Sequence, residues 1–319
     1  MTPGSMTRRE ALARAGLLAG AALLAPAAAR GANSVTQATG TGAGAFRFCL
    51  NTATLRGQKL GIVKELEVAS KAGYSGVEPW VESVQTYAGA GGDLKELRRR
   101  ISDLGLTVEG AIGFPEWLVN DDERRAKGLE RAKREMELIA QIDGKRFAAP
   151  AAGATSLPKI DVRQAAERYR ALLEAGDQIG IVPELELWGF SQNLNPLGEC
   201  VAIAMETGHP KACVLPDVFH MYKGGSNYRG LALLGANTVQ VMHMNDYPAD
   251  PPREKIDDSY RDYPGNGVAP LAEILKCLRQ TGGQKVLSLE LFNRKYWTQD
   301  PLEVARRGLE RMKAVAAEA

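Results

Sequence analysis

Leu185-Glu186-Leu187-Trp188 is a short apolar segment with a polar side chain near its end, and three similar segments follow it along the chain. Each has the pattern of a β-strand that leaves a core, with its polar residue where the strand gives way to a loop. If the four strands are neighbours in one parallel barrel, their polar residues meet at one rim. The other segments are Leu215-Pro216-Asp217-Val218-Phe219-His220, Val241-Met242-His243-Met244-Asn245-Asp246 and Leu287-Ser288-Leu289-Glu290-Leu291.

Strand-like and helix-like segments alternate from residue 46 to the end of the chain. Eight strand-helix units are the number that a (β/α)8 TIM barrel needs, so the sequence predicts an α/β fold with one barrel domain over residues 46–319. The predicted strands are 46–51, 76–80, 106–112, 146–150, 181–188, 212–218, 238–243 and 286–291.

Composition and charge limit the classes of partner. The 319 residues are 45% hydrophobic and 24% charged, which is ordinary for a globular protein. Residues 1–32 hold four arginines and one glutamate, so the remainder has 36 basic and 37 acidic residues. A chain so balanced has no global attraction for nucleic acid or anionic membrane. The four cysteines have no metal-binding spacing, and we expect buried free thiols.

The N-terminus has the pattern of an export signal. Arg8-Arg9 is a twin-arginine pair, 17–25 is apolar, and Ala27-Ala28-Ala29 offers a small-residue cleavage site. We therefore predict a Tat-type signal peptide over 1–32, a flexible linker over 33–45 and a periplasmic or otherwise exported protein. The apolar run is short for a bilayer span, so we expect no stable membrane insertion after signal removal. The alternative is an uncleaved N-terminal helix or anchor.

The four strand-end residues Glu186, Asp217, His243 and Glu290 form a candidate site for one divalent metal ion. Oxygen-rich coordination with one imidazole suits Mn²⁺, Mg²⁺, Co²⁺ or Zn²⁺, and Mn²⁺ is our first choice. The alternative is a chance coincidence, since acidic residues at strand ends often cap helices or bond loops. Glu184 faces the same way one layer lower. It either supports the site from beneath or is itself the ligand, and we favour Glu186.

Several motifs occur in a fixed order along the chain. They are Leu50-Asn51-Thr52-Ala53-Thr54, Gly73 to Trp80, Glu186, Asp217-x-x-His220, His243-x-x-Asp246, Pro264-Gly265-Asn266-Gly267 and Glu290. Over about residues 46 to 315 the sequence resembles the xylose-isomerase-like TIM-barrel superfamily, the sugar phosphate isomerase/epimerase group. The resemblance implies that Glu186, Asp217, His243 and Glu290 bind the metal and that His220 touches substrate.

The resemblance has two departures. Ketose 3-epimerases of the group carry a second glutamate where this chain has Gln192, and an arginine where it has Ala249. A ketose 3-epimerase in the strict sense is therefore disfavoured. An endonuclease of the same superfamily needs more histidines than the three found here.

Other side chains near strand ends are candidates to line the pocket, because aromatic faces suit the C–H faces of sugars and polar groups suit hydroxyls. For each tryptophan the alternative is simple packing at the rim. The segment 247–267 is long and rich in proline and charge, which is typical of a lid. Its Arg253, Lys255 and Arg261 would meet a substrate anion or, more commonly, solvent. The lining candidates are Glu78, Trp80, Glu109, Trp117, Trp188 and Lys223.

A metal-bound carbonyl with a neighbouring hydroxyl makes the proton between them more acidic. Glu186 and Glu290 on two faces of such a carbon are the expected catalytic base and acid. The sequence thus predicts a metal-dependent isomerase or epimerase that acts on a small sugar or keto-sugar through an enediolate. A lyase or dehydratase on a keto-sugar, keto-glycoside or inosose is the close alternative. A non-catalytic periplasmic carbohydrate-binding protein is the alternative of another class, and a homo-oligomer is left open.

Overall fold

The computed structural model describes residues 44–319, which form a closed barrel of parallel strands surrounded by helices. The predicted (β/α)8 TIM barrel is confirmed, and all eight strands lie inside or within one residue of their predicted ranges. The signal peptide and nearly all of the predicted linker fall outside the described residues. The strands are β1 Phe46–Asn51, β2 Gly76–Glu78, β3 Thr107–Val108, β4 Arg146–Ala149, β5 Val182–Glu186, β6 Val214–Leu215, β7 Val241–Met244 and β8 Lys285–Leu289.

The barrel closes through two ladders and the hydrogen bonds between them. One ladder has the order β3-β2-β1-β8-β7 and the other β4-β5-β6. The amide of Ala148 donates to the carbonyl of Ala111 at 2.9 Å, which joins β4 to the residues after β3. The amide of His243 donates to Pro216 at 2.9 Å and joins β7 to the end of β6. The carboxyl ends of all strands therefore share one rim.

Helices pack around the barrel where apolar residues recur with helical spacing. Asp121 and Asp161 begin two of the longest by accepting hydrogen bonds from backbone amides of the first turn. One prediction is incomplete: β2 and β3 are connected by two helices, because the chain turns at Gly91, which has a positive φ of 87°. The helices are α1 Ile62–Ala72, α2 Val81–Gly89, α3 Leu94–Asp103, α4 Asp122–Ala140, α5 Val162–Ile179, α6 Leu197–Glu206, α7 Val218–Lys223, α8 Leu271–Gln280 and α9 Pro301–Ala317.

The barrel lumen is packed with small and medium side chains, separately from the larger apolar layer between strands and helices. Cys49, Ala148, Leu215 and Val241 belong to this inner cluster. Cys49, Cys200 and Cys213 are buried free thiols, whereas Cys277 is partly exposed. Within residues 44–319, none of the helices has the length and apolar character required to cross a bilayer.

Candidate metal centre

His243 is the point on which the polar residues of the rim converge. Its Nδ1 lies 3.2 Å from Glu290 Oε2, 3.7 Å from Asp217 Oδ2 and 3.8 Å from Glu186 Oε1. All four side chains are almost completely buried. The structure thus brings together the four ligands expected from sequence, and Glu186, His243 and Glu290 alone already form a group able to hold a metal ion.

The fold places these residues by simple means. Glu186 is the last residue of β5, His243 lies within β7, and Glu290 directly follows β8. Asp217 lies between β6 and α7, where its Oδ1 accepts the amide of His220 at 2.8 Å. One aspartate therefore begins a helix with one oxygen and leaves the other facing the centre.

The other ring nitrogen of His243, Nε2, contacts the carboxylate of Glu78. This nitrogen lies 3.0 Å from Glu78 Oε2, which also accepts Ser288 Oγ at 2.7 Å and Asn51 Nδ2 at 3.0 Å. A carboxylate behind a histidine fixes the ring so that the front nitrogen faces a metal. Among residues 44–319, His243 Nδ1 and Glu186 Oε2 are buried without a hydrogen-bond partner. Unpaired buried acceptors that face one point are the chemistry that a divalent cation satisfies.

Glu78 was predicted to bind substrate, and the structure does not bring it to the pocket. The residue is 1% exposed, and its Oε2 is engaged by three neighbours, so it orients His243 instead. The strand alternation that places Glu186 at the rim also places Glu184 one layer deeper, 3.5 Å from Arg146 Nε. Glu186, rather than Glu184, faces His243.

Arg261 is the residue of the centre that the sequence did not single out. Its Nη1 donates to Asp217 Oδ2 at 2.7 Å and to Glu290 Oε2 at 2.9 Å, and its Nη2 lies 2.9 Å from His220 Nε2. Asp258 accepts from the same guanidinium. Arg261 was noted as one of three lid cations expected to meet solvent more often than substrate, and its complete burial contradicts that preference.

The segment 247–267 carries Arg261 to the centre because both its ends are pinned. Asp246 is completely buried, and its carboxylate accepts the backbone amides of Tyr247, Gly265 and Ala269. The signal for this arrangement was present in the His243-x-x-Asp246 and Pro264-Gly265-Asn266-Gly267 motifs. Spacing alone does not say which cation of the segment is turned inward.

A cavity of about 190 Å³ opens above the centre. Trp188 and His220, both predicted to contact substrate, line it, and Glu186, Glu290 and Arg261 form its polar floor. The other lining side chains are mostly aromatic, which suits the C–H faces of a small ring. They are Trp80, Ile112, Phe114, Phe190, Asp258 and Phe292.

Three predicted lining residues lie elsewhere. Lys223 donates from Nζ to the backbone carbonyls of Arg253 and Glu254 at 3.0 Å, so it tethers the 247–267 segment. Glu109 is bound to cations deeper in the barrel, and Trp117 is buried with its Nε1 on the carbonyl of Pro150. Glu109 directly follows β3, Trp117 lies in the loop before α4 and Lys223 ends α7, and none of the three lines the cavity.

Burial and neighbouring charges shift the titration of the centre in opposite directions. Burial, reinforced by the nearby Glu290 carboxylate and opposed by His243, raises the pKa of Glu186 to about 8. Burial would also raise the pKa of Glu290, but His243 and Arg261 outweigh it and lower that pKa to about 2. Burial lowers the pKa of His243, whereas Glu290 and Glu78 together raise it well above its ordinary value. The protein's own cations thus partly neutralise a strongly acidic centre.

The sequence matches a known protein family. The family profile described as Xylose isomerase-like TIM barrel matches residues 66–315. The chain belongs to the xylose isomerase-like TIM-barrel family. The resemblance inferred from the sequence motifs is therefore confirmed at the level of the family.

Relatives within the xylose isomerase-like family include isomerases and dehydratases. The chain is 29% identical over 241 residues to 3-dehydroshikimate dehydratase of Pseudomonas aeruginosa, covering 72% of this chain but only 36% of that protein. It is 24% identical over 281 residues to inosose isomerase of Bacillus velezensis, covering 85% of this chain and 98% of the relative. The chain thus spans about a third of the first relative and nearly all of the second.

Solved structures of other proteins share the barrel. A structure of the IolI protein with a bound zinc atom superposes with a TM-score of 0.79 at 20% identity, covering 85% of this chain and 98% of that one. D-psicose 3-epimerase, solved in the presence of D-fructose, gives a TM-score of 0.69 at 20% identity, with 85% and 99% covered. At this identity the likeness concerns the fold.

Proposed function

We propose that the protein is a divalent-metal-dependent isomerase or epimerase of a small sugar or keto-sugar, acting by proton abstraction next to a carbonyl through an enediolate. The observation that carries the proposal is the convergence of three carboxylates on Nδ1 of His243 beneath a small aromatic cavity. Such a centre combines a site for a cation with carboxylates able to move protons.

Glu186, Asp217, His243 and Glu290 would hold the cation, for which we propose Mn²⁺, with Mg²⁺, Co²⁺ and Zn²⁺ as alternatives. When bound, a divalent cation there would polarise a carbonyl and an adjacent hydroxyl and so acidify the C–H bond between them. The zinc atom bound in the IolI structure supports a divalent cation in a barrel of this kind, without deciding which ion this chain uses.

The chain's own residues would handle the protons. Glu186 and Glu290 come from strands β5 and β8, which are not neighbours in the barrel, and both line the cavity. One carboxylate would remove the proton, and the other would return it. Return on the opposite face of the same carbon gives an epimer, and return at the neighbouring carbon gives an isomer. His220 and Arg261 would orient substrate oxygens, and the aromatic walls would exclude water.

A dehydratase or other lyase is the second candidate. The relative that acts as a 3-dehydroshikimate dehydratase favours it, because loss of a β-substituent starts from the same proton abstraction. In that case Glu290 or Glu186 would remove the proton, and the other carboxylic acid would protonate the departing oxygen. The two candidates thus share every residue and differ in the fate of the enediolate.

Solvent isotope exchange tests the proposal. Full-length protein loaded with Mn²⁺ is incubated in D2O with ketoses, keto-glucosides and inososes, and the substrate is followed by proton NMR. We expect loss of a C–H signal next to the carbonyl, with an isomer or epimer as product; an absorbing enone would instead identify the lyase. Binding of these compounds with no exchange at any carbon would refute both candidates and leave a non-catalytic sugar-binding protein.

A further inference from the structure

A second, larger cavity lies beside the 190 Å³ cavity above the candidate metal centre, which we call the metal-side cavity. The second cavity has a volume of about 600 Å³, and it is bounded by the 3-10 helix Thr52–Gln58, the start of α1 and one face of α2. Trp80 lines both cavities. Thr52, which also lines the second cavity, directly follows Asn51, whose Nδ2 donates to Glu290 Oε1 at 3.0 Å. The walls of the two cavities are therefore connected through Trp80 and through the Asn51-Thr52 pair.

The metal-side cavity alone limits the size of a ligand. Its 190 Å³ is below the roughly 300–1,000 Å³ typical of sites for drug-sized molecules, so it suits one small ring. The second cavity falls inside that range. A molecule with one ring at the metal side and a second, larger part beyond Trp80 would fit the two volumes.

The second cavity contains a buried carboxylate without a partner. Glu65 is 5% exposed and lies on the inward face of α1 together with Ile62, Leu66 and Ala69. Among residues 44–319, its Oε2 is buried and has no hydrogen-bond partner. Burial raises the pKa of Glu65 to about 7, so near neutral pH the carboxyl group both donates and accepts hydrogen bonds. An unpaired buried polar group is costly, and a ligand hydroxyl would satisfy it.

A second polar atom in the wall is also unpaired. Trp80 Nε1 is buried without an acceptor among the described residues. The Trp80 ring meets Phe114 and Phe292 edge-on, and the guanidinium of Arg56 lies 4.2 Å from its centroid. Arg56 is half exposed, and its one ion pair within the described part of the chain is a 3.9 Å contact with Glu82. A planar guanidinium that lies over an aromatic ring also stacks readily on a flat ligand.

We propose that this cavity binds the second, non-reacting part of the substrate, and that this part is a flat, hydroxylated aromatic group. The substrate would then be an aryl glycoside or its keto form, with its sugar ring at the metal side and its aromatic part against Arg56. A phenolic hydroxyl would pair with Glu65. The assignment of the sugar ring rests on the proposed function, and the assignment of the aromatic part rests on the cavity itself.

Binding of the aromatic part alone tests the cavity without any reaction. The probe is 4-methylumbelliferone, titrated into full-length metal-loaded protein by calorimetry. We expect Glu65→Ala to weaken its binding roughly tenfold, as loss of one buried hydrogen bond would. Ser83→Phe, which fills the cavity from α2, should abolish binding. Glu67→Ala makes the same change on the outer face of α1 and should have no effect.

A second titration tests whether the two cavities hold one substrate. The β-glucoside of 4-methylumbelliferone should bind more tightly than both methyl β-glucoside and the free probe, and should depend on Glu65. No binding of the free probe, or equal binding by wild type, Glu65→Ala and Ser83→Phe, would overturn the aromatic subsite. A glucoside that binds no more tightly than the probe would overturn a substrate spanning both cavities. Deuterium exchange on small keto-sugars, measured in parallel, tests the proposed function separately.

Discussion

Two buried clusters of charge lie at different depths in the same barrel, and they are built in opposite ways. The mouth cluster is Glu186, Asp217, His243, Glu290 and Arg261, and the floor cluster is Arg47, Glu109, Lys145, Arg146 and Glu184. In the floor cluster three cations surround two carboxylates: Glu109 accepts a hydrogen bond from Lys145 at 3.0 Å and lies 3.0 Å from Arg47, and Glu184 lies 3.5 Å from Arg146. In the mouth cluster three carboxylates share one arginine and one imidazole.

The two clusters differ in how their charges are neutralised, and this distinguishes a structural cluster from a functional one. The floor cations are partly exposed near the start of their strands, so water stabilises their charge, and Arg146 pairs with both carboxylates, at 3.8 Å from Glu109 and 3.5 Å from Glu184. The mouth cluster is almost completely buried and places three carboxylates around one imidazole nitrogen and one guanidinium. Without a further cation, part of this negative charge is neutralised by a proton, as the raised pKa of Glu186 indicates, and a divalent cation would take over that role.

The largest expected effect is on catalysis. It is measured by replacing one carboxylate in each cluster and comparing the two variants. Glu290→Gln should lower the rate of deuterium exchange by about 10²–10⁴-fold, because a positioned acid or base contributes this much. Glu184→Gln makes the same change one layer deeper and should leave the rate within a fewfold. The measurement is exchange on the substrate identified in D2O, with circular dichroism to check that both variants are folded. Equal losses would mean that depth does not separate the clusters.

The next largest effect is on stability. It concerns Arg261, the arginine of the mouth cluster. Arg261→Met removes the partner of Asp217 and Glu290, and breaking buried pairs in this way costs about 3–5 kcal/mol. We expect that loss in the free energy of unfolding of metal-free protein, measured in urea. With Mn²⁺ present the loss should be smaller, because the cation neutralises the same carboxylates.

Arg253→Met is the matched control for Arg261. Arg253 lies in the same 247–267 segment, but its side chain is half exposed and its pair with Glu254 is 3.8 Å long. A surface substitution of this type should change the free energy of unfolding by less than about 0.5 kcal/mol. If Arg261→Met costs the same with and without Mn²⁺, then Arg261 and the metal do not share the carboxylates.

The contrast between the clusters also explains what the sequence could predict. Strand alternation placed Glu186 at the rim, and the strand-end pattern brought Asp217, His243 and Glu290 to it, because parallel strands of a barrel end at one rim. The position of a residue along a strand predicts its depth in the barrel, but it does not predict which groups its side chain contacts. Glu78 therefore lies at a strand end, and Lys223 at the end of α7, without reaching the cavity. Arg261 was missed as a site residue because its position depends on how a long loop folds back, which no local pattern encodes.

Metal binding should stabilise the protein through the mouth cluster alone. At a concentration of Mn²⁺ about 100-fold above its dissociation constant, the free energy of unfolding should rise by about 2.7 kcal/mol. Asp217→Asn should remove most of this rise, because it weakens one of the four ligands. Glu109→Gln in the floor cluster should retain it. The measurement is urea unfolding of chelator-treated protein with and without added Mn²⁺, and a rise that survives in Asp217→Asn would place the ion elsewhere.

Glu65 offers the smallest and cleanest test, because among residues 44–319 this buried carboxylate has no ion pair and its Oε2 has no hydrogen-bond partner. Burial raises its pKa from 4.5 to about 7, so the folded state holds the proton more tightly than the unfolded state. The stability that this gives is fully present below about pH 4.5 and is lost as the pH rises through 7.

At 1.36 kcal/mol per pKa unit the upper limit is about 3 kcal/mol, and screening by water in the cavity reduces the expected effect to ~1–2 kcal/mol. Glu65→Gln should therefore gain ~1–2 kcal/mol over wild type between pH 4.5 and pH 8, measured by urea unfolding at both values, while Glu67→Gln on the outer face gains nothing. An equal difference at both pH values would mean that Glu65 is ionised in the folded protein, and that this carboxylate too has a partner.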